Sequence, residues 1–188
     1  VGTDCSVGKK YTALAIEKAL NENGIKATFK ATGQTGVLIA ESGIAIDAII
    51  SDFISGAVEW LSPEKSNEEW DIIEGQGSIF HPSFAGVSLG LLHGSQPDKF
   101  IVCHESTRIS MRGVSIKLPS IGDVIKKTIE LGSLTNSKIE CVGIALNTSS
   151  MNEGIEELKK EISAKYSLPC LDPLQDNLTP IIKKIQES

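Results

Sequence analysis

Short apolar runs alternate with stretches of helical periodicity along the chain. The apolar runs predict strands at residues 25–31, 70–74, 99–103, 139–146 and 168–171. The run at 139–146 is nearly continuous in apolar residues, which is typical of a strand in a sheet covered on both faces. The alternation predicts an α/β fold, with a three-layer, doubly wound, mostly parallel sheet and helices on both faces.

Between the predicted strands, apolar residues recur at helical spacing. They predict helices over residues 12–23, 44–61, 84–93 and 120–134, from 150 to about 166, and from 179 onwards. Ser150 and Glu153 predict a capping box at the start of the fifth helix. The second helix should bury the face that carries Ile46, Ile49, Phe53, Ala57 and Trp60.

A glycine-bounded loop runs directly into the first helix. Its residues are Gly2, Thr3, Asp4, Cys5, Ser6, Val7, Gly8 and Lys9, and Lys10 follows. Backbone N–H groups, the partial positive charge of the helix N-terminus and the Lys9 ammonium can bind an anion together. We interpret these residues as a phosphate-binding site for a cofactor, in a fold of the P-loop NTPase type. The alternative is a surface turn before an amphipathic helix.

Lys10 stands where phosphate-loop enzymes carry the Ser or Thr hydroxyl that holds Mg²⁺. An ammonium cannot ligate a cation, and Thr12 lies about 200° further around the helix. We therefore predict phosphate binding without a metal ion. The three histidines do not share a metal-ligand spacing, so we predict no zinc site either.

Polar clusters follow the predicted strands. In open α/β sheets, ligands bind at the carboxyl ends of the strands, so we expect these clusters to share one cleft with the loop. The clusters are a predicted glycine-rich loop at residues 32–36 and the residues 74–78, 104–108 and 147–149.

Three residues of these clusters suit acyl-transfer or phosphate chemistry. His104 or Glu74 could act as a catalytic base, and the Gln76 amide could donate to an oxyanion. Glu74 could equally hold Mg²⁺ or orient a water molecule, or be a solvated charge at a strand end. His81 is a further acid–base candidate, because imidazole titrates near neutral pH.

Other residues of the clusters are candidates for ligand binding. Arg108 and Arg112 could fork onto a carboxylate or a phosphate, or be surface charges, and Asn147 could read an adenine edge or form a turn. The helix N-terminus could favour a thiolate at Cys5, although a filler role suits this residue better. The predicted substrate-binding residues are Thr32, Gln34, Thr35 and Arg108, and Asn147 joins the cofactor site.

Net charge, apolar runs and cysteine spacing limit the kinds of partner and compartment to be expected. The formal net charge of −6 argues against a nucleic-acid surface, and no apolar run approaches the length of a membrane span. The four cysteines are widely spaced without a Cys-x-x-Cys pair, which predicts reduced thiols in a cytoplasmic protein. We expect a small-molecule substrate, no nucleic acid and no membrane, and the sequence is compatible with a homo-oligomer.

Several motifs together indicate a family. They are Ala31-Thr32-Gly33-Gln34-Thr35-Gly36, Glu74-Gly75-Gln76-Gly77-Ser78, Leu89-Gly90-Leu91-Leu92-His93-Gly94 and Cys103-His104-Glu105. From Gly2 to about Asn147, the chain resembles the phosphate-loop family that includes D-glutamate N-acetyltransferase. The loop alone is similar to that of dethiobiotin synthetase-like enzymes. The resemblance implies acetyl transfer from acetyl-coenzyme A to the amino group of D-glutamate or a similar D-amino acid.

The resemblance also implies a domain organisation. Members of this family carry a separate N-terminal domain before the loop, and a phosphate loop normally follows a buried strand. We therefore expect residues 1–188 to be a C-terminal P-loop domain, with an N-terminal domain and the first strand missing from this sequence.

Three functions remain open at this point. The first is acetyl transfer with acetyl-coenzyme A, whose pyrophosphate the loop would bind. The second is an ATP- or GTP-dependent ligase or kinase, in which Lys9 would neutralise the phosphates and Glu74 would work through Mg²⁺. The third is a nucleotide-binding module without catalysis. Lys10 favours the first over the second.

Overall fold

A computed structural model of the chain describes residues 1–66 and 68–187. The helices are α1 (Lys9–Glu22), α2 (Gln34–Ala40), α3 (Ile54–Leu61), α4 (Ala85–Ser95), α5 (Ile121–Gly132), α6 (Ile155–Tyr166) and α7 (Thr179–Gln186). The strands are β1 (Lys26–Lys30), β2 (Glu69–Ile73), β3 (Lys99–Glu105), β4 (Glu140–Asn147) and β5 (Cys170–Leu171). Two short 3₁₀ turns, Ile46–Ala48 and Ser51–Phe53, precede α3.

All strand pairs are parallel, which confirms the α/β prediction. Strand β1 pairs with β2, and β3, β4 and β5 form a second group in that order. The first residues of the chain run alongside β3, where Val1 N donates to Ile101 O and Cys103 N donates to Val1 O, both at 3.0 Å. The strands thus form two parallel sheets, with the start of the chain against the inner edge of the second.

A groove of about 790 Å³ separates β2 from β3. Its walls include Ile72 of β2 and Ile101 of β3, and Lys9 and Gly75 also line it. A Cβ built on Gly75 would lie 3.5 Å from Val1 N, so the start of the chain sits between the carboxyl ends of the two strands. The phosphate loop therefore begins where the two sheets meet.

Helices cover the strands and form two main cores. One core brings α1 and α7 together through Ile16, Leu20 and Ile181, which are almost fully buried. The other packs α5 against β3 and β4, with Val124 and Ile144 at its centre. Buried apolar side chains of this size each contribute about 1.5–3 kcal/mol to stability, so these cores hold the strand ends in place.

The segment 44–61 differs from the predicted single helix. Two 3₁₀ turns occupy its first half, and α3 begins only at Ile54, which changes the phase of the buried face. Ile54 and Val58 therefore enter the core, while Phe53 is 65% and Trp60 77% exposed. The prediction that Phe53 and Trp60 lie in the core is wrong.

Two local predictions are also wrong. The sequence predicts a loop over residues 32–36, but α2 begins at Gln34. The expected capping box of Ser150 and Glu153 is absent from α6, which begins at Ile155 after a left-handed Gly154 without a side-chain cap. The left-handed glycine ends the preceding turn, and this places the helix start beyond the reach of Ser150.

Two expectations from composition can be compared with the structure. Cys5, Cys103, Cys141 and Cys170 are all free thiols, as predicted. Burial raises the pKa of Cys141 to about 11 and that of Cys170 to about 12, so both stay protonated. Over residues 1–66 and 68–187, every helix is too short or too polar to cross a membrane.

Candidate phosphate-binding site

The loop of residues 2–8 leads from the edge of β3 into α1. Thr3 N donates to Cys103 O at 3.0 Å, and Thr3, Asp4 and Val7 are buried. Ser6 and Gly8 are left-handed, with φ of 54° and 101°. Left-handed residues inside a loop turn successive N–H groups towards a common point, which is how backbone anion sites form.

Lys9 lies inward at the start of α1. It is only 8% exposed, and its Nζ donates to Asp4 O at 2.7 Å. A Cβ on Gly75 would come within 3.0 Å of Lys9 Cδ, so the glycine leaves room for the lysine stem. Burial lowers the pKa of Lys9, because removing an ammonium from water disfavours its charged form. A phosphate placed at the loop would compensate this desolvated cation.

Lys10 turns away from the loop. Its Nζ lies 5.0 Å from the centre of the neighbouring Tyr11 ring, within reach of a cation–π contact. Thr12 does not replace the missing hydroxyl, because its Oγ1 donates to Gly8 O at 3.0 Å and accepts from Cys103 Sγ. Neither residue offers an oxygen to a metal ion at the phosphates.

Glu74, directly after β2, is buried against the start of α2. Its Oε2 accepts from Thr32 N and Gly33 N, both at 3.2 Å. Thr32 Oγ1 donates to Glu74 O at 2.5 Å and accepts from Gln76 Nε2 at 3.1 Å. The structure therefore brings Thr32, Glu74 and Gln76 together, and it engages the Glu74 carboxylate with backbone donors.

Gly36 permits this arrangement, and its replacement should break it. A Cβ on Gly36 would lie 2.1 Å from Glu74 Oε2 and 3.2 Å from Ala31 Cβ. We expect Gly36→Ala to destabilise the protein by about 1–3 kcal/mol, as overpacking of a filled site does. Chemical denaturation measures the change in unfolding free energy.

Gly56→Ala is the matched control for this substitution. Gly56 lies in α3, and a Cβ there would meet nothing within 4 Å. Alanine should stabilise this helix by up to about 1 kcal/mol. Equal unfolding free energies for the Gly36→Ala and Gly56→Ala proteins would contradict the described contact.

His104 lies beside the loop at the end of β3. Its Nδ1 is 3.1 Å from Thr3 Oγ1, and Ser78 Oγ donates to Thr3 O at 3.5 Å. Burial lowers the pKa of His104, against an opposing effect of Glu105. The imidazole is therefore neutral at physiological pH. If Nδ1 carries its hydrogen and donates to Thr3, Nε2 is free to accept a proton.

Arg108 contacts the loop from its other side. Its Nη1 donates to Asp4 Oδ2 at 2.9 Å and to Cys5 O at 2.7 Å, and its Nη2 donates to Ser6 O at 3.2 Å. Arg112 joins it, with its N donating to Asp4 Oδ2 at 2.7 Å and its Nη1 to Ser6 Oγ at 2.8 Å. Both arginines of the chain thus bind the phosphate loop.

His81 and Cys5 are poor candidates for chemistry. His81 Nδ1 accepts from Ser83 N, so Nε2 carries the hydrogen and donates to Arg112 O at 2.9 Å. Burial and the nearby Asp4 carboxylate raise the pKa of Cys5, which opposes the thiolate that a helix N-terminus would favour. Both side chains are therefore structural.

The same two residues form, with Asp4, a grouping of potential metal ligands within 4.8 Å of one another. Both nitrogens of His81 are already used, the Cys5 thiol is protonated, and Asp4 pairs with Arg108. A cation would have to displace a guanidinium here, so the donor set does not fit a metal ion.

The remaining predicted residues lie at the margin. Gln34 and Thr35 are exposed in the first turn of α2. Asn147 comes close to the loop, since a Cβ on Gly8 would lie 3.9 Å from Asn147 Cβ, but its Oδ1 accepts from Ser149 N. This contact fits the turn-forming alternative. The sequence points to Arg112 only as a companion of Arg108 and to Ser78 only through its backbone, and it does not predict their side-chain contacts with the loop.

Comparisons with known proteins support the resemblance drawn from the motifs. A family model described as "Domain of unknown function (DUF1611_C) P-loop domain" matches residues 1–182. A D-glutamate N-acetyltransferase from Pseudoalteromonas sp is 52% identical over 187 residues, covering 98% of this chain and 56% of that protein. One of the same name from Tritonibacter scottomollicae is 47% identical over 177 residues, covering 92% and 53%. The chain thus spans about half the length of these relatives.

Solved structures confirm the fold. A DUF1611 family protein from Anabaena variabilis has a TM-score of 0.93 and 32% identity, over 100% of this chain and 56% of that one. An ADP-bound nucleotide-binding protein from Archaeoglobus fulgidus has a TM-score of 0.57 and 14% identity, over 100% and 87%. Cobyrinic acid a,c-diamide synthase from Mycobacterium smegmatis, solved with ADP and magnesium, has a TM-score of 0.53 and 14% identity, over 98% and 89%.

Proposed function

We propose that this chain, which belongs to the DUF1611 family of P-loop domains, binds the pyrophosphate of acetyl-coenzyme A for acetyl transfer to D-glutamate. The observation that carries the proposal is the identity of about half of all positions with two relatives named D-glutamate N-acetyltransferase. Because the chain spans about half the length of those relatives, the activity of a whole relative is carried over to it only as this proposal.

The loop geometry supports binding of a phosphate group. Lys9 is a desolvated cation at a helix N-terminus, next to the left-handed residues Ser6 and Gly8. Coenzyme A carries an ADP-like moiety whose pyrophosphate suits such a site. Since Lys10 and Thr12 offer no metal ligand, Lys9 and the backbone would carry the phosphate binding.

His104 is the proposed catalytic base. The ammonium of D-glutamate must lose a proton before its nitrogen attacks the thioester carbonyl, and a neutral imidazole can accept that proton. Attack forms the new C–N bond, the attacking nitrogen loses its second proton as the C–S bond breaks, and coenzyme A leaves as a thiolate that takes up a proton. Thr3, which pairs with Nδ1, would hold the ring in the required tautomer.

The oxyanion of the tetrahedral intermediate needs hydrogen-bond donors. Gln76 is the proposed side-chain donor, together with backbone N–H groups of residues 75–78. Glu74 would act through them, because its carboxylate accepts from Thr32 N and Gly33 N and so fixes the segment that leads to Gln76. We therefore assign the base to His104 and a positioning role to Glu74.

Calorimetric titration tests the choice of cofactor. We expect the protein to bind acetyl-coenzyme A equally well with and without Mg²⁺. The alternative function, an ATP- or GTP-dependent ligase or kinase, requires tight nucleotide binding that depends on Mg²⁺. Binding of ATP or GTP only with Mg²⁺, and no binding of acetyl-coenzyme A, would refute the proposal.

A further inference from the structure

The carbonyl groups of the phosphate loop are held by cationic side chains. Arg108 donates to the carbonyl oxygens of Cys5 and Ser6, and Lys9 donates to the carbonyl oxygen of Asp4. The C=O and N–H of a trans peptide unit point in opposite directions. With the oxygens of Cys5 and Ser6 fixed on Arg108, the N–H groups of Ser6 and Val7 must therefore point away from the guanidinium.

Ser6 adds a reason why the loop needs such support. Its φ of 54° lies in the left-handed region, which is sterically unfavourable for a residue with a Cβ. Two arginine contacts converge on it, from Arg108 Nη2 to Ser6 O and from Arg112 Nη1 to Ser6 Oγ. These charge-assisted bonds can hold the strained conformation that the anion site requires.

Asp4 anchors the guanidinium. Its side chain is fully buried, and one oxygen, Oδ2, accepts from both Arg108 Nη1 and Arg112 N. Burial alone would raise the pKa of Asp4, but the hydrogen bonds from Arg112 N, Cys5 N and Arg108 outweigh it and lower the pKa. The carboxylate therefore stays charged and keeps Arg108 in register with the loop.

Most hydrogen-bond donors of Arg108 are already used within the protein and are not available to a substrate. Its Nη1 and Nη2 bind Asp4, Cys5 and Ser6, and its Nε lies 3.6 Å from Glu105 Oε2. The side chain cannot fork onto the carboxylate of D-glutamate without releasing the loop. This geometry disagrees with the substrate-binding role expected from the sequence.

We propose that Arg108 is a positioning residue, which presets the backbone N–H groups of the loop for the phosphates of the cofactor. The inference rests on the proposed function only in naming acetyl-coenzyme A as that cofactor. The planar guanidinium of Arg108 donates to three acceptors at once, and a lysine of the same charge cannot do this.

Two substitutions in the full-length protein separate positioning from simple attraction of phosphates. We expect Arg108→Met and Arg108→Lys to raise the Kd of acetyl-coenzyme A by similar factors, roughly ten- to a hundredfold. The KM for D-glutamate should stay unchanged in both. Calorimetry with acetyl-coenzyme A and with ADP gives the affinities, and steady-state kinetics give the KM.

Control variants guard against misfolding. Arg108→Met leaves a buried carboxylate unpaired, so Asp4→Asn combined with Arg108→Met removes both charges and should fold while still binding weakly. Lys127→Met removes an exposed cation, paired with Glu130 on α5, and should bind like the wild type. Thermal unfolding of each variant reports its folded state.

Three outcomes would overturn the proposal. Wild-type affinity in Arg108→Lys would mean that charge alone matters. A raised KM for D-glutamate with unchanged acetyl-coenzyme A affinity would restore the substrate-binding role, and wild-type affinity in Arg108→Met would remove Arg108 from the site. If the wild-type protein transfers no acetyl group, the proposed function fails, but the ADP affinities still decide the role of Arg108.

Discussion

Replacing Lys9 by methionine will weaken the binding of acetyl-coenzyme A roughly ten- to a hundredfold, and it will leave the protein folded. Charge-assisted hydrogen bonds contribute about 1.5–3 kcal/mol, and Lys9 should make them to the pyrophosphate. Methionine keeps the aliphatic stem between the loop and Gly75, so packing is preserved. The buried ammonium donates to Asp4 O, and this one bond is lost with it.

Lys18→Met is the matched control for the loop lysine. Lys18 lies on the same helix, α1, but its side chain is exposed, and its Nζ lies 3.7 Å from Glu22 Oε1. Its removal should change neither affinity nor stability noticeably. Calorimetry on both variants gives the comparison, and equal affinities would show that the loop does not bind the cofactor.

Replacing His104 by glutamine will have the largest effect on catalysis. Loss of a positioned base typically lowers the rate 10²- to 10⁴-fold, and we expect a fall in kcat within about this range. The KM for acetyl-coenzyme A should change little, because Lys9 and the loop remain. His93→Gln is the control, since His93 Nε2 donates to the Leu131 carbonyl oxygen, which a glutamine amide can also reach.

The pH dependence follows from the same imidazole. Burial lowers the pKa of His104 below its ordinary 6.5, so the neutral base persists to lower pH. The kcat/KM of the wild-type protein should therefore fall only as the pH drops below 6.5, when His104 becomes protonated. This acidic limb should be absent from His104→Gln. Its persistence in the variant would assign the base to another group.

Much of the fold could be predicted from sequence because its signals are local. The apolar run around Ile144 and the helical spacing of α1 and α5 reflect burial on each element itself. Segment 44–61 could not be predicted in this way, because the break before Ile54 shifts the phase of the helix. Phe53 and Trp60 keep the periodicity of a core face but lie at the surface.

The candidate site, like the fold, could be predicted from the sequence only in part. The glycine-bounded loop with Lys9 is contiguous, so its residues could be identified from spacing. The partners of Arg108 could not, since Asp4 lies 104 residues away in the sequence and the pair forms only when β3 brings them together. The partners of Glu74 could not be predicted from spacing either, because its carboxylate accepts from Thr32 N and Gly33 N, which follow β1 and lie about forty residues away in the sequence. A strand-end carboxylate alone does not reveal whether backbone donors already engage it.

The most direct test of the whole account measures two products side by side. The full-length protein is supplied with acetyl-coenzyme A and D-glutamate in excess EDTA, and thiol release is followed. Phosphate release is followed in parallel with ATP and GTP, with and without Mg²⁺. We predict rapid thiol release that depends on D-glutamate and is nearly unaffected by EDTA, with negligible phosphate release. Phosphate release that requires Mg²⁺ and rises with a small carboxylic acid, without any thiol release, would contradict the account.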